Sequence, residues 1–64
     1  MNRNTARHLI AKDMRNQGAT DIEPADVDHI LTETGLHVGN LPGMVKDYGT
    51  DTKTVEAYRT LLEA

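Results

Sequence analysis

Histidine and carboxylate side chains recur near the middle of the chain at a spacing that a metal ion can use. His29 and Glu33 are four residues apart, so on a helix they project from the same face, and His37 follows closely. A structural zinc ion takes four protein ligands, and because the chain has no cysteine, only carboxylates are available to complete the set. Surface histidines are the more ordinary explanation of this pattern. The sequence therefore predicts no metal site and no cofactor.

The side chains available for catalysis are equally few. Cysteine and serine are absent, and no threonine is accompanied by an evident base or by a loop that would bind an oxyanion. Asp26 and Asp28 are two residues apart, so on a helix their carboxylates diverge. A chain of 64 residues is also too short for an active-site cleft of ordinary size. We therefore expect a protein that is not an enzyme.

The last residues of the chain, YGTDTKTVEAYRTLLEA, resemble the second half of a helix-turn-helix. In that motif a residue with positive φ makes a sharp turn between two helices, and apolar residues at fixed offsets hold the second helix across the first. Gly49 is placed for the turn. Val55 and Tyr58 follow at offsets that predict burial against Met44 and Val45.

This motif predicts which side chains would face a DNA groove. They are Asp51, Thr52, Lys53, Glu56, Ala57 and Thr60. Lys53 or Thr52 would touch phosphate, and Glu56 would accept a hydrogen bond from cytosine. Arg59 would reach the DNA backbone from the side. The candidate DNA-binding residues are therefore Thr52, Lys53, Glu56, Arg59 and Thr60. Because few of these are cations, a solvated helix face explains the pattern equally well.

Charge is unevenly placed along the chain, whose net charge is −3. The first 18 residues carry four basic and one acidic side chain, whereas the next 22 carry five acidic and no basic ones. The basic N-terminal stretch contains Arg3, Arg7, His8, Lys12 and Arg15, and the spacing of Arg7, Lys12 and Arg15 allows these three to form a basic stripe on the first helix. The acidic segment is the nearest partner for this stripe, so we favour pairing inside the chain over contact with nucleic acid.

Capping residues and helical periodicity predict two helices in the first half of the chain. The first has Asn4 or Thr5 as its N-cap and runs to about Gln17. The second has Pro24 in its first turn and ends at Gly35. Between this glycine and the next helix, the alternation in LHVGN predicts a brief extended connector.

Two further helices are predicted in the second half, which gives a small all-α fold of four helices in one domain. The third helix follows Asn40, a candidate cap, and ends at Gly49. Its apolar stripe is Leu41, Met44, Val45 and Tyr48. The fourth is capped by Thr50 or Asp51. Its apolar stripe is Val55, Tyr58, Leu61 and Leu62. Thr50 departs from the motif, because an apolar residue commonly fills the corner after the glycine.

An ordered set of residues extends the resemblance to a family. The matching residues are Lys12, Asp13, Arg15, Asn16, Thr34, Gly35, Asn40, Asp47, Gly49, Thr54, Val55, Tyr58, Leu62 and Glu63. With them the chain resembles the region just after the ATPase core in prokaryotic AAA-type ATPases that carry a C-terminal nuclease-like domain. The resemblance covers about residues 9–63 and implies a winged-helix-like module. The loop GxxxxGK[ST] is absent, so the resemblance implies no ATPase activity for this chain.

The sequence predicts a cytoplasmic protein that does not enter a membrane, because it has neither a signal peptide nor an apolar segment of about 20 residues. We expect a regulatory helix-turn-helix module that binds DNA weakly or docks to a partner chain, and a homodimer is compatible with its size. The alternative is a purely protein-binding acidic regulator or inhibitor of the phage or plasmid type. Its docking residues would then be Leu36, Val38, Met44 and Leu61, if these were exposed.

Overall fold

The computed structural model describes residues 1–63, which form four α-helices and two short 3₁₀ turns. The helices are α1 (Arg3–Asn16), α2 (Val27–Thr34), α3 (Leu41–Tyr48) and α4 (Thr52–Leu62). The 3₁₀ turns, Pro24–Asp26 and Val38–Asn40, lead directly into α2 and α3. No strand occurs within the described residues, so the prediction of a small all-α fold with four helices is confirmed.

Helix α1 begins earlier than the sequence analysis predicted. Its N-cap is Asn2, whose backbone is extended and whose side-chain oxygen accepts a hydrogen bond from the Thr5 N–H at 2.7 Å. Asn4 and Thr5, the predicted caps, lie inside the helix. An asparagine in extended backbone satisfies one of the free N–H groups of the first turn, and Asn2 can do this as well as the later candidates.

Glycines end α2 and α3 as predicted. Gly35 and Gly49 have φ of 68° and 66°, in the left-handed region that other residues rarely adopt. The Gly49 N–H donates a hydrogen bond to the Val45 carbonyl at 3.0 Å, which closes the last turn of α3. This turn sets the direction in which α4 leaves α3.

The connector before α3 is a 3₁₀ turn, so the prediction of an extended segment was wrong. His37 has an extended backbone, and residues 38–40 form the 3₁₀ turn. The Asn40 side chain accepts a hydrogen bond from the His37 N–H at 3.0 Å. Short polar side chains often bond to nearby backbone in this way, and the bond closes the turn. Asn40 makes no side-chain cap bond to α3 itself.

Helix α4 packs chiefly against α1, with α3 at the side. The buried apolar residues are Ala6, Ile10, Ala11, Val27, Leu31, Leu41, Ala57, Tyr58 and Leu61. Three of them are fully buried alanines on α1 and α4, and such small side chains let two helix backbones approach closely. The core therefore lies mainly between the first and last helices.

The predicted packing of α4 on α3 was only partly right. Tyr58 is buried as predicted, but its hydroxyl donates to the Asp13 carboxylate on α1 at 3.0 Å. Val55 is half-buried, and Val45, its predicted partner, is 45% exposed. Both α1 and α3 offer an apolar stripe to α4, and α1 is the longer helix with the smaller side chains. The face of α4 that carries Tyr58 therefore turns towards α1.

Tyr58 is expected to make the stability of the fold fall at alkaline pH. Burial, together with the negative charge of Asp13, raises the pKa of Tyr58 well above its usual range. The folded chain therefore retains a proton that the unfolded chain loses near pH ~10. Below that pH the contribution of Tyr58 to the free energy of unfolding is fully present. Above it, the free energy of unfolding should fall by up to about 1.4 kcal/mol per pH unit.

Urea unfolding of the wild type and of Tyr58→Phe, measured between about pH 9 and 11, tests this expectation. The free energy of unfolding should fall less steeply with pH in Tyr58→Phe than in the wild type. The Asp13 carboxylate keeps a hydrogen-bond donor in this variant, because Gln17 donates to it at 2.9 Å. Tyr48→Phe is the matched control. Because Tyr48 is 69% exposed, this variant should show the same dependence of stability on pH as the wild type. Identical slopes in the wild type and Tyr58→Phe would show that the hydroxyl is not held as described.

Candidate functional site

Four of the five candidate DNA-binding residues lie on the exposed face of α4. Thr52, Lys53, Glu56 and Arg59 are all exposed, and their spacing puts them along one side of the helix. Thr60 is half-buried, and its hydroxyl donates to the Glu56 carbonyl at 2.8 Å within the same helix. Thr60 therefore already uses its hydroxyl as a donor inside the chain.

Ala57 was predicted to face a DNA groove, and the structure shows that this was wrong. It is fully buried. The side of α4 that meets α1 carries Thr54, Ala57, Tyr58 and Leu61. Alanine and threonine contribute little to a pattern of apolar residues. The buried face of α4 was therefore assigned from its larger apolar side chains alone, and Ala57 was left on the exposed face.

The exposed face of α4 carries balanced charge. Lys53 and Arg59 alternate with Glu56 and Glu63, so the four side chains sum to no net charge. The Arg59 Nε atom lies 3.8 Å from a Glu63 carboxylate oxygen. Affinity for nucleic acid depends mainly on phosphate neutralisation, and a balanced face supplies little of it.

Thr50 fills the corner between α3 and α4. It is buried, and its hydroxyl donates to the Met44 carbonyl in the middle of α3 at 3.3 Å. The N-cap position of α4 belongs to Asp51, whose carboxylate accepts a hydrogen bond from the Thr54 hydroxyl at 2.6 Å. This hydrogen bond holds the pKa of Asp51 below its usual range. Thr50 thus takes the place of the apolar residue that is common at this position.

The basic stripe on α1 is largely engaged inside the chain, as the charge distribution suggested. The Arg7 guanidinium binds the Asp28 carboxylate with two nitrogens, at 3.2 Å from Nε to Oδ1 and 3.0 Å from Nη2 to Oδ2. This contact lowers the pKa of Asp28. Arg15 donates to the Ile22 carbonyl at 2.9 Å. The pairing of this stripe with the acidic segment is therefore confirmed for Arg7.

Lys12 and Lys53 both line a groove between α1 and the start of α4. This groove has a volume of about 390 Å³. It also contains the carboxylates of Asp13 and Asp51, which already accept hydrogen bonds from neighbouring side chains. Two cations and two anions leave the groove without net charge. Nothing in the sequence indicates that these two lysines line one groove, because 41 residues separate them along the chain.

The histidines do not gather into a metal site in the part of the chain that the structure describes. The His29 Nε2 atom lies 3.6 Å from a Glu33 carboxylate oxygen, so the predicted spacing on one helix face is correct. Within residues 1–63, however, no three histidine, aspartate or glutamate side chains lie close enough together to hold one metal ion.

The end of α3 exposes two large apolar side chains. Val45 is 45% exposed and Tyr48 is 69% exposed. The residues that the protein-binding alternative required are less exposed than these two: Leu61 is buried, and Leu36, Val38 and Met44 are half-buried against the core. Sequence reasoning missed Val45 and Tyr48 because periodicity assigned them to the buried stripe.

Within residues 1–63, no helix combines the length and the hydropathy that crossing a membrane requires. Comparison of the chain with protein-family models, with curated proteins and with solved structures found no match.

Proposed function

We propose that the chain is a non-catalytic helix-turn-helix module that docks to a protein partner through the end of α3 that its own fold leaves uncovered. The supporting observation is the exposure of Val45 and Tyr48, which continue the apolar stripe of a helix. We call these two residues the α3 patch. Tyrosine is enriched in protein interfaces, because its large ring buries much area and loses little side-chain entropy.

The α3 patch is the outer end of a stripe whose inner end belongs to the core. Leu41 is 1% exposed and Met44 is half-buried, whereas one turn further on Val45 and Tyr48 emerge into solvent. A partner that covered the α3 patch would therefore extend the hydrophobic core of this chain.

The size of the α3 patch implies weak docking by itself. Two side chains bury a few hundred Å² at most, whereas a stable interface buries roughly 800 Å² on each partner. Docking of this kind is effective when a linked domain raises the local concentration of the partner. The resemblance to a region that follows an ATPase core fits this arrangement, since such a module adjoins another domain of the same protein.

No catalytic step is assigned to the chain. Among residues 1–63, the pKa is displaced for Asp28, Asp51 and Tyr58, and each displacement follows from burial or a contact inside the fold. Hydrogen bonds and ion pairs that stabilise a fold displace pKa values as active sites do, so these three displacements do not by themselves indicate catalysis.

A library of displayed peptides, selected on the folded chain, tests the α3 patch. Peptides that bind there should lose at least about tenfold in affinity for Tyr48→Ser, because truncating a buried aromatic anchor costs about 2 kcal/mol or more. They should bind the control variant Lys53→Gln, altered on the α4 face, as tightly as the wild type. Because Tyr48 is exposed, Tyr48→Ser should change the free energy of unfolding by less than about 0.5 kcal/mol.

Two results would count against docking at the α3 patch. One is a set of selected peptides that bind Tyr48→Ser and the wild type equally. The other is a large loss of stability in Tyr48→Ser, which would mean that this side chain belongs to the core.

Weak DNA binding by α4 is the second candidate. It is favoured by the exposure of Lys53 and Arg59 on α4 after the turn at Gly49, and by Lys12, which lines the same groove as Lys53. These cations, together with Lys46 or the N-terminal arginines, would neutralise about two to four phosphates, so log K should fall with log salt at a slope near −2 to −4. The dissociation constant should then be about 10⁻⁴ to 10⁻⁶ M.

A chemical-shift titration with a short mixed-sequence duplex at about 50 mM salt decides between the two candidates. Shifts at residues 50–60, with the expected salt slope, would favour DNA. Lys53→Glu should then weaken binding to all sequences alike, because a phosphate contact carries no sequence information. The absence of shifts, in monomer and dimer alike, would leave the protein partner as the better candidate.

A further inference from the structure

We infer that a groove between the first turn of α1, the body of α2 and the end of α4 binds a partner protein segment that presents one large apolar side chain beside a carboxylate. We call it the leucine groove. It is lined by Arg3, Asp28, Leu31, Thr32, Leu36, Leu61 and Leu62. No residue of α3 lines it, so it is separate from the α3 patch and goes beyond the proposed function.

The floor of the leucine groove is part of the core. Leu31 and Leu61 are 6% and 8% exposed, and Leu36 and Leu62 are half-buried against the same cluster. These leucines are held by packing whether or not a ligand is bound. An apolar side chain that enters the groove therefore meets a preformed surface, and little ordering has to accompany binding.

The volume of the leucine groove favours a single anchor. It measures about 260 Å³. Pockets for small-molecule ligands usually have about 300 to 1,000 Å³ and enclose most of the ligand. A smaller, open groove suits one large side chain of a partner, in the manner of the anchor residues that dominate protein interfaces.

Within residues 1–63, the positive charge at the rim of the leucine groove exceeds the negative charge. Asp28, the carboxylate that lines the groove in this part of the chain, is bound by two nitrogens of Arg7. Among residues 1–63, no carboxylate lies within 4.0 Å of the Arg3 guanidinium. The hydrogen bond from Arg7 and, to a smaller extent, the charge of Arg3 lower the pKa of Asp28. Two guanidinium groups therefore face one carboxylate, and a second carboxylate is the complementary group.

Two capped dipeptides test this pairing: acetyl-leucyl-glutamate amide and acetyl-leucyl-glutamine amide. Both should shift the amide resonances of residues 3, 28–36, 61 and 62, with dissociation constants on the order of millimolar. The glutamate peptide should bind about two- to fivefold more tightly, which is the range of an exposed ion pair. Octanoate, a carboxylate without a peptide backbone, is the third probe.

Arg3→Gln should abolish the preference for glutamate and leave the weaker binding of both peptides. Arg3 is exposed and lies in the first turn of α1, where a positive charge does not favour the helix, so this variant should fold. Lys53→Gln removes the same charge elsewhere and should keep the preference.

Three outcomes would overturn the assignment. The first is a glutamate preference that persists in Arg3→Gln. The second is an absence of peptide shifts at the leucine groove, including the case in which the peptides shift only the α3 patch. The third is saturation of the groove by octanoate at lower concentration than by the glutamate peptide, which would identify a small amphiphile as the occupant.

Discussion

Replacing Ala57 by glutamate is expected to unfold the chain. Ala57 is 0% exposed and lies on the side of α4 that packs against α1. A carboxylate forced into this position would be desolvated without a partner, at a cost of several kcal/mol. The whole free energy of unfolding of a chain this size is only about 3 to 10 kcal/mol. Circular dichroism at 25 °C should therefore show the loss of most helical signal.

Lys53→Glu is the matched control for Ala57→Glu. It introduces the same side chain on the same helix, four residues earlier, at an exposed position in the first turn. Acidic side chains are favourable there, so the free energy of unfolding should stay within about 0.5 kcal/mol or rise slightly. If Ala57→Glu proved as stable as Lys53→Glu, Ala57 would face solvent, and the orientation of α4 inferred from sequence periodicity would be the correct one.

The helices could be predicted from the sequence because their limits depend on local chemistry. Gly35 and Gly49 stop α2 and α3 because only glycine readily takes the left-handed backbone found there. Pro24 begins the turn into α2 because its fixed φ suits a first turn and its missing N–H is not needed there. These effects act within a few residues, so the sequence around each glycine or proline is sufficient to predict them, whereas the start of α1 had several candidate caps and was placed too late.

The orientation of α4 could not be predicted, because it depends on which of two helices covers it. Tyr58 satisfies a stripe that faces α3 as well as one that faces α1. Its hydrogen bond to Asp13 joins residues that are 45 positions apart, and the sequence around either residue does not predict it. The small buried residue Ala57, which distinguishes the two orientations, has too little hydrophobicity to register in the pattern.

The candidate surfaces show the same limit. Charge segregation predicted that the basic stripe would pair with the acidic segment, but the choice of Arg7 and Asp28 required the packing of α1 on α2. Periodicity likewise assigned Val45 and Tyr48 to the apolar face of α3. It contains no information about whether another helix packs over that face, and in the structure both side chains are exposed. An uncovered apolar stripe becomes visible only when its neighbours are in place.

Gly49→Val is expected to lower the free energy of unfolding by about 1 to 3 kcal/mol through backbone strain alone. Gly49 has φ of +66°, where a β-branched residue is strongly disfavoured. A Cβ atom built at this position meets no other heavy atom within 4 Å, so steric crowding by neighbours does not contribute. Urea unfolding of the wild type and the variant measures the difference.

Gly43→Val separates backbone strain from the other effects of adding a valine. Gly43 lies inside α3 with negative φ, and a Cβ there also meets nothing within 4 Å. Because valine is a slightly better helix former than glycine, this variant should be as stable as the wild type or a few tenths of a kcal/mol more stable. If the free energy of unfolding fell equally in both variants, the destabilisation would come from the valine side chain rather than from backbone strain. A loss confined to Gly49→Val would assign it to the left-handed turn that directs α4 away from α3 and leaves the α3 patch uncovered.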